Sequence, residues 1–296
     1  MHYTKNNYLK IYTNKFGAGL FEYSSCTEDI VMSWDKETLN TAKLISEELK
    51  DEKIVLLCSS GADSTIMLKC FMKLKVSFTV AFGIYNFGSK HFINYHDVEP
   101  QMTFCKENGI EYKTYTLDVK EFWKPKNLFK YTEPYLQPSP DYAVLQWIME
   151  QVIEDGGIPL FAGGDPVFKP WAAGNTQTVH RIKYADFALH QFLEKNNIKG
   201  TIWFYCYTPE QTLAYINDVI SNRTLARQKN ITGSSPKFYV YEKYYPLISK
   251  KNYTGFEYVM KANEHSRRLL TNRYAKNHWQ ILVIDLIKCL EKPNAS

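Results

Sequence analysis

The chain has 296 residues, room for one large α/β domain or a domain with an appendage. Hydrophobic residues at 45% and charged residues at 23% are those of a folded globular protein, which excludes a disordered or fibrous chain. The net charge of +5 is unevenly spread: residues 223–276 hold twelve Lys or Arg against three Glu, which implies either an anionic partner such as RNA or a solvated basic face.

Residues 1–34 show no strong period and read as short strands or loop. No apolar leader follows Met1, and no apolar run reaches the roughly 20 residues that span a bilayer; the best stretch, Trp279 to Ile287, is short and carries Asp285. The six cysteines (Cys26, Cys58, Cys70, Cys105, Cys206 and Cys289) form no C-x-x-C pair. Free thiols, a cytoplasmic location and no membrane contact are the expectation. Oligomeric state is not readable.

Asp35 is placed to cap a helix from Lys36 to Lys50, with Leu39, Ala42, Ile45 and Leu49 at helical spacing. Ile54 to Cys58 is wholly apolar, as a buried parallel strand would be. The loop Ser59-Ser60-Gly61-Ala62-Asp63-Ser64 follows, then a helix from Ser64 to Lys75. Strands are predicted at Phe78–Ile84, Ile110–Leu117 and Ile158–Ala162. Helices are predicted at Asp97–Asn108, closed by Gly109, and at Asp141–Glu154, stopped by Gly156-Gly157. This alternation predicts a doubly wound, mostly parallel α/β sheet. The proline-rich stretch Trp123–Pro140 has no clean period and is expected to be a long loop or lid. Thr208-Pro209 reads as an N-cap and first helical residue. The rest is expected to be mainly helical, with a loop over Thr232–Lys251. The expected division is 1–50 (leading segment and helix), 51–205 (nucleotide-binding α/β domain) and 206–296 (helical C-terminal region).

A loop between an apolar strand and a helix puts backbone N–H groups at the end of a sheet, where they favour an anion. Gly61 permits close approach, Ser59 and Ser64 offer hydroxyls, and Asp63 beside a phosphate calls for a bridging cation. The spacing is not that of a Walker A loop. Ser59 to Ser64 resembles the Ser-Gly-Gly-x-Asp-Ser loop of the PP-loop ATP pyrophosphatases, with Ser60 in place of the first glycine. That residue must hold a conformation a Cβ tolerates and would crowd the anion slightly. The resemblance implies a Rossmann-like fold of the adenine nucleotide alpha hydrolase type, ATP as cofactor, and cleavage between the α and β phosphates. Ser59, Ser60, Gly61, Ala62, Asp63 and Ser64 would then hold the leaving pyrophosphate.

Leu160-Phe161-Ala162-Gly163-Gly164-Asp165 looks like the asparagine-synthetase-like branch of that family. There Gly163 and Gly164 would open the backbone, and Asp165 would share Mg2+ with Asp63. Gly83 and Tyr85, at the second strand end, would lie near adenine or ribose. Asp97 reads equally as an N-cap or a catalytic group, and His96 as structural. The stretch from Tyr239 to Glu257 resembles phage-encoded relatives of asparagine synthetase, which implies a host-cytoplasm setting. Lys243, Lys250 or Lys251 would face the charge that develops on the departing phosphates. The resemblance implies an AMP-forming ligase that activates an acyl or carbonyl oxygen of a small-molecule substrate for attack by ammonia or an amine. No glutaminase domain is expected before the loop. Three alternatives stay open: a tRNA- or nucleotide-modifying enzyme of the same family, a phosphoadenosine-phosphosulfate-reductase-like enzyme (Cys289 lacks that context), and a non-catalytic nucleotide-binding module.

Overall fold

The computed structural model describes residues 9–13, 19–23, 31–88, 91–164, 167–170, 178–181, 184–220, 241–249 and 254–274. Its centre is the run Ile54-Val55-Leu56-Leu57, all four residues buried. A strand with no polar side chain must be covered on both faces, and alternation sorts its residues between them. Ile54 and Leu56 join Ile66, Met67, Phe71 and Trp34 on one face. Val55 and Leu57 join Ile148, Met149, Val152 and Phe187 on the other. That is the doubly wound arrangement expected from the alternating pattern.

In chain order the elements are β1 (Leu9–Thr13), β2 (Gly19–Tyr23), α1 (Trp34–Glu48), β3 (Ile54–Leu57), α2 (Ala62–Leu74), β4 (Thr79–Asn86), α3 (Tyr95–Glu107), β5 (Tyr112–Asp118), α4 (Val119–Phe122), α5 (Pro125–Thr132), α6 (Pro140–Glu154), β6 (Ile158–Phe161), β7 (Val167–Pro170), β8 (Thr178–Arg181), α7 (Tyr184–Lys195), α8 (Pro209–Ala214) and α9 (Met260–Tyr274). Strands β1 and β2, and likewise β7 and β8, form separate antiparallel pairs. The main sheet is parallel and runs β5-β4-β3-β6. From β3 the chain winds outward through β4 to β5, then returns to place β6 on the other side of β3. The winding direction therefore reverses between β3 and β6, the switch point at which open α/β sheets bind ligands.

Several expectations are corrected. Ser33, not Asp35, is the N-cap of α1; Asp35 lies in the first turn and accepts from the Ser33 hydroxyl at 2.7 Å. Helices α2 and α3 each begin two residues earlier than predicted, because Asp63 and Asp97 also sit inside the first turn. Acidic residues there suit the helix dipole without capping it. The stretch 123–140 is no lid. It folds as α5 and a 3-10 turn (Glu133–Tyr135) leading into α6. Pro125 and Pro140 start helices rather than break them, and Leu128, Tyr131 and Trp123 are buried with Leu270 and Tyr274 of α9. Gly109 (φ +64°) and Gly156 (φ +74°) close their helices as expected, and Thr208 caps α8 by accepting from the Gln211 N–H at 3.1 Å. Among the described residues no helix is long and apolar enough to cross a membrane, and the Cys58, Cys70, Cys105 and Cys206 thiols are buried.

Candidate active site

The Ser59–Ser64 loop leaves the end of β3 at this switch point. Its shape is set from within. The Ser64 hydroxyl donates to the Ser59 carbonyl at 2.6 Å and accepts the Ser59 N–H at 3.2 Å, and the Ser59 Oγ accepts the Gly61 N–H at 3.2 Å. Gly61 is the N-cap of α2 and brings no side chain to the helix start. The first-turn N–H groups thus begin a helix with no side-chain cap, the usual setting for an anion. Gly61 needs no special dihedral (φ −62°); a Cβ there would sit 3.1 Å from Ser59 Oγ.

Ser60 corrects an expectation. It crowds nothing, because its side chain turns inward and is 1% exposed. Its N–H donates to the Asp97 carbonyl at 2.8 Å, and its Oγ accepts the Gln101 N–H at 3.2 Å. The Ser60 hydroxyl thereby helps tie the loop to α3.

Asp63 is partly buried, and Tyr241 donates to its Oδ1 at 3.2 Å. Its carbonyl accepts the Tyr205 hydroxyl at 2.8 Å. Both tyrosines are fully buried and lie in one stack with Trp34: Trp34 to Tyr241 is 4.6 Å at 11°, and Tyr205 to Tyr241 is 6.3 Å at 19°. Tyr205 also donates its N–H to the Gly163 carbonyl at 3.0 Å. One residue thereby joins the loop after β3 to the glycines after β6. Nothing in the sequence marked Tyr205 or Trp34: their role comes from a stack assembled from residues 34, 205 and 241.

Gly163 and Gly164 follow β6, and their closest approach is to the chain itself. A Cβ on Gly163 would come within 2.5 Å of the Ile202 carbonyl. Gly164 holds φ +81°, and a Cβ there would meet Cys206 Sγ at 2.6 Å. Asp165, Lys250, Lys251 and residues 223–240 of the basic stretch lie outside the described residues, so the expected Asp63–Asp165 pairing does too. Lys243 is exposed, two residues past Tyr241.

At the end of β4, Asn94 takes up the backbone: its Oδ1 accepts the Tyr85 N–H at 2.7 Å and its Nδ2 donates to the Gly83 carbonyl at 2.8 Å. These are the backbone groups the sequence assigned to adenine or ribose. A Cβ on Gly83 would reach Ile148 at 2.4 Å, so this glycine makes room for packing. The Tyr85 ring stacks on Phe256 at 5.3 Å. Asp97 is not the N-cap of α3, a position held by Asn94. Burial, with Glu257 nearby, pushes its carboxyl up to about 7. His96 meets Tyr258 edge-on at 5.5 Å.

Fold and loop together define a doubly wound α/β protein with a helix start suited to an anion at its switch point. No protein-family model matches the chain, and no curated protein matches it. Among solved structures it is similar to an NH3-dependent NAD synthetase from Campylobacter jejuni, at 15% identity and TM-score 0.36, over 90% of this chain and 99% of that one. It is also similar to a glutamine-dependent NAD+ synthetase from Acinetobacter baumannii (12%, TM-score 0.38), over 89% of this chain and 50% of that one. A third is a predicted subunit of a tRNA methyltransferase from Methanocaldococcus jannaschii (18%, TM-score 0.32), over 66% of this chain and 92% of that one. At these identities and TM-scores none of the three carries an activity over to this chain.

Proposed function

We propose that this chain is an ATP-using, AMP-forming ligase that holds the departing pyrophosphate over Ser59–Ser64. A carboxylate or carbonyl oxygen of the substrate attacks the α-phosphorus, and the bond from that phosphorus to the bridging oxygen of the β-phosphate breaks. An amine or ammonia then attacks the activated carbon and expels AMP. The observation that supports this most is the start of α2: no side-chain cap, Ser60 turned away, and Ser64 spent on bracing the loop. An anion there would meet backbone N–H groups fixed in advance, which stabilise developing charge without reorganising.

Asp63 is the side chain suited to hold Mg2+ beside that anion. It sits in the first turn of α2, and Tyr241 takes one of the roughly four acceptor positions a carboxylate offers. Asp165 is the second ligand expected from the sequence. Bound Mg2+ would neutralise the pyrophosphate. Among the candidate lysines, Lys243 follows directly on the segment that carries Tyr241. An asparagine-synthetase-like carbon–nitrogen ligation is supported by the Gly163-Gly164-Asp165 stretch. RNA contact draws less support from α9, since Arg267 is paired with Asp141 at 3.1 Å and Arg273 with Glu133 at 2.6 Å.

The test is incubation with ATP, Mg2+, and a panel of carboxylates and amines, with nucleotides resolved by ion-exchange chromatography. AMP and pyrophosphate in equal amounts support the reading; ADP and orthophosphate overturn it.

A further inference from the structure

Asp63 is held at two points by two tyrosines far from it in the chain. The Tyr205 hydroxyl donates to its backbone carbonyl at 2.8 Å, and the Tyr241 hydroxyl donates to its carboxylate Oδ1 at 3.2 Å. Both rings are 0% exposed and lie 19° from parallel. Trp34 stacks on each of them, 4.6 Å from Tyr241 and 6.2 Å from Tyr205. A buried ring in such a stack has two side-chain torsions and little room in either, so its hydroxyl is a fixed point.

The 241–249 segment does not need that hydroxyl to stay docked. Tyr245 donates to the Asp35 carbonyl at 3.3 Å and accepts from Cys70 Sγ at 3.4 Å. Tyr244 donates at 3.5 Å to the Asp218 oxygen that also accepts the Trp34 N–H at 2.7 Å. Lys69 Nζ donates to the Pro246 carbonyl. With the segment anchored on α1 and α2 by these contacts, the Tyr241 hydroxyl serves the carboxylate.

The carboxylate needs such support if it is to meet a metal ion. Among the described residues no three His, Cys, Asp or Glu side chains form a metal cage. An ion beside Asp63 would take most of its ligands from phosphate and water and only one or two carboxylates from the chain, as Mg2+ commonly does. With so few protein ligands, the aim of each carboxylate decides the fit, and a hydrogen bond to one of its oxygens sets that aim.

We infer that Tyr241 is a positioning residue, whose hydroxyl pins Asp63 Oδ1 and fixes the carboxylate for a phosphate-bound Mg2+. The 241–249 segment thereby completes a site that lies 178 positions away in the chain. The inference deepens the reading above and rests on it for the metal.

The test is the affinity of the full chain for α,β-methylene-ATP, whose α–β bridge cannot be cleaved, by isothermal titration calorimetry in saturating Mg2+ and in EDTA. Tyr241→Phe keeps the ring and deletes the hydroxyl, and its Tm should stay within about 5 °C of wild type. It should bind about tenfold or more weaker in Mg2+ but less than about twofold weaker in EDTA. Tyr245→Phe, which loses a hydroxyl from the same segment, should match wild type in both. Equal losses in Mg2+ and EDTA would show a hydroxyl that only supports the fold, and overturn the inference. So would full Mg2+ affinity in Tyr241→Phe where Asp63→Ala has lost it. Mg2+ dependence that survives Asp63→Ala, or a wild type that takes no nucleotide, overturns the metal site and this inference together. ADP and orthophosphate as the wild-type products would sink the ligase reading and leave this one standing.

Discussion

The loop after β3 and the recess beside β4, lined by Asp141, Phe256, Glu257 and Arg267, share one edge of one sheet, yet they are built in opposite ways. The loop offers backbone, braced by Ser59 and Ser64 and backed by the Trp34–Tyr241–Tyr205 stack. The recess offers side chains, drawn from α6 and from α9 with the turn before it. A backbone site needs small residues in strict local order. A side-chain site needs only that distant helices pack in register. The first suits an anion.

The largest expected effect tests whether the aromatic stack is what holds the loop. Trp34 is fully buried, so Trp34→Ala should cost about 3–5 kcal/mol in urea unfolding. A loss under about 1 kcal/mol would mean the stack is not holding the loop.

Gly164→Ala comes next. It places a Cβ at φ +81°, 2.6 Å from Cys206 Sγ, and should cost about 1–3 kcal/mol. The same substitution tests whether the glycine serves the chain's own packing: wild-type stability would contradict that.

Ser60→Gly sharpens the comparison. It places glycine where the Ser-Gly-Gly-x-Asp-Ser pattern has one but deletes the hydroxyl that accepts from Gln101. A loss of about 1 kcal/mol is expected, with no gain in turnover. A faster Ser60→Gly enzyme would mean that Ser60 does crowd the anion.

The smallest effect is a pH signature on the acidic side. The Asp97 carboxyl is held at about 7 in the fold, against about 4 in an unfolded chain. Its contribution is therefore fully present below pH ~4 and drains away as pH rises to ~7, above which a partly buried charge faces Glu257. Asp97→Asn should raise Tm relative to wild type by about 2 °C more at pH 8 than at pH 5. A pH-independent difference in thermal melts would contradict the assignment.

These two regions also show what the sequence could and could not disclose. Strand β3, its loop and α2 were legible because the information is local: four apolar residues, then serine and glycine, then a helical period. Helix starts were misplaced by two residues where an acid inside the first turn resembled a cap, as at Asp35 and Asp97, and where Asp63 was counted with the loop. The 123–140 stretch was misread because proline at a first helical position looks, in one dimension, like proline in a loop. The recess left no sequence signal: Asp141 and Asn263 meet across 122 positions. Tyr205 was equally silent, since its hydrogen bonds to Asp63 and to Gly163 exist only once β3 and β6 are adjacent.

The most direct measurement is the product balance from ATP and Mg2+ in the presence of an accepted substrate, for wild type and Asp63→Ala. The wild type should form AMP and pyrophosphate one to one, and Asp63→Ala should fall about a hundredfold or more while remaining folded. Orthophosphate with ADP as the products, or undiminished pyrophosphate release from a folded Asp63→Ala protein, would contradict a pyrophosphate held over the start of α2.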